Sequence, residues 1–135
     1  MATIKSFTDL SQSKTLAEIL PIESADMMWE QHYNNEPYVT IKPHTTIGKS
    51  INCHCVPCWS LAALLSVLPI IYTNDKKEVC GPLHIDITDS ETPFVLWYVN
   101  PLHKGCIVEL KTRECDNLVD ACYEMIIKLY KLKML

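Results

Sequence analysis

The chain reads as one α+β domain over residues 1–135: an antiparallel sheet of about five strands covered by three helices, with a central apolar helix, about 57–68, buried among them. Three observations predict this. Segments of period-two alternation come in groups joined by short, turn-rich links, the pattern of antiparallel hairpins rather than of helix crossovers. Apolar residues recur at helical offsets near both ends of the chain. Between them lies a run that is apolar on nearly every side, as in a helix packed between other elements.

The elements follow in order. "SFTDLSQSKTLAEILP" sets Ser6 three residues ahead of Asp9, a spacing like that of a capping box, and carries Phe7, Leu10, Ala17 and Leu20 mainly at helical offsets before Pro21. A first helix is expected over roughly 8–20. "MMWEQHY" and "YVTIKP" flank the turn-rich "NNEP", and Tyr38, Thr40 and Lys42 alternate with Val39 and Ile41, which predicts a β-hairpin.

After Pro43 periodicity is lost until "PCWSLAALLSVLP", where Pro57 suits a first helical position and Pro69 ends the run. "PLHIDIT", "FVLWYVN" and "CIVELKT" are β-rich and separated by "DSETP" and "PLHKG", so they read as an antiparallel meander. Asp116 or Asn117 then caps a last helix in which Leu118, Cys122, Met125, Leu129 and Leu132 share one face, while Glu124 and Lys128 form an i,i+4 pair on the other.

Composition narrows the function. The charge is −4 and Arg113 is the only arginine, so no basic stripe is available to neutralise phosphates and nucleic-acid binding is not expected. Lys128, Lys131 and Lys133 close the last helix, where cations complement the helix dipole. No apolar run approaches the roughly 18 residues that span a bilayer, and no leader-like segment opens the chain, so a cytoplasmic protein without membrane contact is expected. Of 135 residues, 48 % are apolar and 21 % charged, a globular balance able to bury a core without disulfides. The seven cysteines are irregularly spaced and are expected to be thiols that behave as small apolar residues.

The most chemically loaded stretch is "NCHCVPCW" at 52–59. We read it as structural: Pro57 opens the helix, Cys58 and Trp59 pack in its first turn, and Cys53 and Cys55 lie in a connecting loop. Three chemical alternatives stand beside this. Cys53, Cys55 and Cys58 offer three zinc ligands at knuckle-like spacing, with Cys80, Cys106 or Cys115 as the available fourth. Cys55 and Cys58 at a helix N-terminus offer a redox pair, because the dipole there favours a thiolate. Cys58 offers a nucleophile, with His84 or His103 as its base. His32 and His44 read as structural, and Asp86, Asp89 and Glu91 as a solvated turn rather than a calcium loop.

Two of these alternatives carry family resemblances. Cys55-Val56-Pro57-Cys58, with Thr92-Pro93 ahead of "FVLWYV", resembles the dithiol and Thr-Pro loop of the thioredoxin-like family, which implies a thiol–disulfide oxidoreductase with Pro93, as a cis proline, facing the pair. Trp59 follows the pair here instead of preceding it, which departs from that family's pattern. "CVPCWS" is similar to the cysteine–tryptophan helix entrance of papain-like peptidases.

Across most of its length, through "LAEILPIESADM", "PCWSLAALLSVLP" and "DNLVDACYEMIIKLYKL", the chain resembles small proteins of Bacteroidetes genomes and their phages or mobile elements, a group without an established activity. That resemblance implies a cytoplasmic accessory role. The reading is therefore a small binding protein with neither catalysis nor a cofactor, acting through contacts with a protein partner or with a second copy of itself.

Overall fold

The computed structural model describes residues 4–32, 35–41, 53–73, 76–100 and 107–135. Helix α1 spans Leu10–Ile19 and starts at Asp9, whose carboxylate accepts the Gln12 N–H at 2.8 Å while the Gln12 side chain accepts the Asp9 N–H at 3.2 Å. The capping box is therefore Asp9/Gln12, three residues later than the Ser6/Asp9 pairing expected. Ser6 instead gives its carbonyl to the Leu61 N–H at 3.0 Å, which ties the N-terminal segment to the middle of the chain. Pro21 ends the helix, and a 3-10 turn, Ile22–Ser24, leads into the first sheet.

The hairpin forms as expected, from β1 (Met27–His32) and β2 (Tyr38–Ile41). It does not join the later strands. Its other edge is filled by β3 (Cys53–Cys58), which pairs antiparallel with β1 along its whole length, from Met27 opposite Cys58 to His32 opposite Cys53. The single sheet of about five strands is thus corrected to separate three-stranded sheets, β2-β1-β3 and β6-β7-β8, with a two-stranded ribbon β4-β5. The physical reason is that β1 has two edges, and β3 satisfies the one a larger sheet would have needed.

The same strand corrects the central helix. Helix α2 runs Leu61–Val67, not 57–68, because Pro57 lies in β3 opposite Met28, on an edge strand where its missing N–H is tolerated. Ser60 caps α2 in its place, its hydroxyl accepting the Ala63 N–H at 3.2 Å. Nor is α2 buried all round. Ala63 and Leu64 face inward, followed by Leu68, while Ala62 and Ser66 are exposed.

The deepest helix is α3 (Leu118–Lys131), capped by Asn117 and burying Val119, Ala121, Cys122, Met125, Ile126 and Leu129. It packs on the meander of β6 (Leu83–Ile87), β7 (Phe94–Asn100) and β8 (Ile107–Lys111). Leu96 and Tyr98 from β7 meet Leu16, Trp59 and Leu64 with the inward face of α3 in one continuous core. The ribbon pairs β4 (Tyr72–Thr73) with β5 (Val79–Cys80), and sits between α2 and β6 in the chain. The expected α+β class, three helices, hairpin and meander are all present.

Candidate functional site

Strand β3 places its thiols apart. Cys55 and Cys58 are three positions along an extended strand, which puts their Cα atoms roughly 10 Å apart and their side chains on opposite faces. A disulfide needs Cα atoms within about 7 Å, so this backbone does not bring the pair together. Pro93 is buried at the entry to β7, and the cis peptide bond among the described residues precedes Pro82.

Cys58 is fully buried. Its sulfur lies 3.5 Å from the Thr8 hydroxyl and donates to the Thr8 carbonyl, also at 3.5 Å. Thr8 is a small hub. Its hydroxyl sits 2.7 Å from Ser13 Oγ and accepts the Trp59 N–H at 3.2 Å, while its carbonyl also accepts the Trp29 indole N–H at 3.0 Å. Burial pushes the Cys58 thiol up, against the smaller opposing pull of the Thr8 and Ser13 hydrogen bonds. A nucleophilic cysteine requires the reverse shift and access for a substrate. His84 stacks on Trp97 with ring centroids 4.3 Å apart, and His103 lies outside the described residues.

The zinc set is not assembled by what is described. Among the described residues no group of three His, Cys, Asp or Glu side chains is placed to hold a metal ion. The side chains of Cys53 and Cys80, and all of Cys106 and His44, lie outside the described residues. Cys115 and Cys122 are buried thiols. Burial raises Cys115 to about 11, with the Glu124 charge adding to it, and raises Cys122 to about 12. Asp86, Asp89 and Glu91 are exposed.

The surface feature that the sequence did not single out is the edge of β6. Leu83, Ile85 and Ile87 stand opposite Tyr98, Leu96 and Phe94, so they extend the core-facing side of the meander. Leu83 packs on the core, but Ile87 is 70 % exposed and Ile85 is also open. Beside them Ile70 is 73 % exposed and Ile71 is open too.

The backbone of this edge is only partly covered. The Leu83 N–H points away from β7 and donates to the Ile70 carbonyl at 2.9 Å, so by the two-residue period the N–H and C=O groups of Ile85 and Ile87 also point outward. The alternating "LHIDI" contained part of this signal. Alternation marks a half-buried strand, but not which strand ends the sheet.

No family model matches the chain, and no curated protein or solved structure matches it. No helix among the described residues is long and apolar enough to cross a membrane.

Proposed function

We propose that this protein is a binding module that works through protein–protein contacts, receiving an extended segment of its partner along the outer edge of β6. The observation that supports this reading is the coincidence, at Ile85 and Ile87, of outward backbone groups with exposed apolar side chains on one face. Backbone pairing supplies adhesion in strand addition, and alternate side chains supply selectivity. Ile70 limits the addition to the stretch beyond Leu83, so the added segment is short and carries apolar residues at alternate positions.

Amide hydrogen exchange tests the reading, with an acetylated peptide of alternating valine and threonine as the probe. The expected result is slower exchange at Ile85 and Ile87 on peptide addition, lost in Ile85→Pro, which removes one outward N–H from an edge where proline is tolerated. Concentration-dependent slowing of the same amides without peptide makes a second copy the partner. Unchanged exchange at both amides, with peptide and with increasing protein concentration, overturns the proposal.

A further inference from the structure

A second feature lies on the opposite side of the molecule's chain order, where α1 crosses the first sheet. Leu10 and Lys14, one helical turn apart, form one wall of a cavity of about 320 Å³. Its floor is Trp29 and Gln31 of β1 with Val56 of β3, the cross-strand partner of Trp29, all on one face of the sheet. Pro37, just before β2, also lines it.

The lining combines the apolar Leu10, Trp29, Pro37 and Val56 with Gln31, Lys14 and Cys55, and it holds no carboxylate among the described residues. Lys14 enters no ion pair among the described residues, whereas Lys5 bridges Asp9 and Asp120 and Lys128 approaches Glu124. An ammonium without an ion pair among the described residues, lining this cleft beside four apolar residues, offers a charged partner for an anion on a chain whose net charge is −4.

The Trp29 wall is also set in advance. Its N–H is held by the Thr8 carbonyl at 3.0 Å, and its ring meets Phe7 edge-on with centroids 5.9 Å apart. A ring fixed in this way loses little freedom on binding a flat ligand.

We infer that this cleft binds a small organic anion with a flat apolar body, the body against Trp29, Leu10 and Val56 and the carboxylate on Lys14. The volume sits at the lower end of the roughly 300–1,000 Å³ typical of small-molecule sites, which fits one ring system with a short acidic side chain rather than a nucleotide. Gln31 adds a second hydrogen-bonding group to the lining. This inference is independent of the β6 edge, since the two sites share no residue.

Two probes with the same ring and opposite charge separate the contributions: indole-3-acetate and tryptamine. With the 135-residue chain, indole-3-acetate is expected to shift the Trp29 indole N–H and the Leu10 and Val56 methyl signals in NMR titration. Tryptamine is expected to bind at least about ten-fold more weakly, a difference of one decade in Kd. Lys14→Met, at an exposed helix position, is expected to remove that preference, and Lys14→Arg to retain it. The inference is overturned if indole-3-acetate leaves the Trp29 signal unmoved up to about 10 mM, far weaker than a specific site. Equal binding of both probes, or unchanged affinity in folded Lys14→Met, overturns it as well.

Discussion

Asp26 accepts hydrogen bonds from both the backbone N–H and the hydroxyl of Ser60, the former at 2.9 Å. This carboxylate, just ahead of β1, holds the cap of a helix 34 positions later in the sequence. The start of α2 is thus fixed by a long-range contact as well as by its own cap.

Removing either partner should therefore loosen α2. Ser60→Ala is expected to cost about 1 kcal/mol, the usual worth of an N-cap, and Asp26→Ala a similar amount. In the double variant the costs should fall short of additivity, because each change removes the same contact. Urea unfolding of the four proteins measures the coupling.

Cys58 should resist modification while the protein is folded. Iodoacetamide treatment followed by peptide mass spectrometry is expected to label Cys55 ahead of Cys58, Cys115 and Cys122, and these three only at the rate of unfolding, since all three are buried. Rapid labelling of Cys58 under native conditions would contradict the Thr8 contacts described here.

Acid should weaken the link between the N-terminal segment and α3. Asp120 accepts from Lys5 at 2.7 Å and from Gln12 and Asn117 at 2.8 Å. Burial alone would raise its pKa, but these hydrogen bonds and the Lys5 charge outweigh it and hold the carboxyl below its ordinary value. A depressed carboxylate stabilises the fold above its unfolded pKa, about 3.9, and that stabilisation is lost as the pH falls further. Asp120→Asn is expected to cost about 1 kcal/mol at pH 7, given its partial exposure, and the two unfolding curves should converge below about pH 4.

Alkali should destabilise the core by the opposite sign. Cys115 and Cys122 have thiols raised to about 11 and about 12 by burial, and Tyr98 is raised by burial too. Groups that stay neutral when folded protect the fold up to the ordinary thiol pKa, about 8.5, and that protection is lost as the pH climbs toward the folded values. Stability measured between pH 8 and 11 should therefore fall, and Cys122→Ala should flatten the decline.

The weight of the core should lie on α3 rather than on α2. Met125→Ala, at a fully buried position, is expected to cost about 2–5 kcal/mol. Ala62→Lys, on the open side of α2, should change stability by no more than about 0.5 kcal/mol. Thermal unfolding of both variants distinguishes the two helices.

Much of this architecture is visible in local pattern. The hairpin around "NNEP", the three meander strands and the final helix each carry a periodicity and a turn or cap that no distant contact needs to supply. Strand β3 carried neither, because Cys53-His54-Cys55-Val56-Pro57-Cys58 lacks apolar alternation and its proline mimics a helix start. Its assignment depends on β1, with Met27 opposite Cys58, and such pairing is set by tertiary contact.

The separation into two sheets was hidden for the same reason. At the candidate sites, the sequence showed the thiols but not that β3 would face Cys55 and Cys58 in opposite directions. It showed Ile85 and Ile87 as a strand face, and Leu10, Lys14 and Trp29 as unrelated residues. Only folding makes the first pair an edge and the second group a cleft.

The bond from Leu83 to the Ile70 carbonyl also bears on self-association. An uncapped row of outward amides and carbonyls invites unlimited head-on accretion into fibrils, and natural proteins guard against it. By occupying the first rung, Ile70 cuts the open part of this edge down to the stretch at Ile85 and Ile87, and a short edge is a poor template for such growth.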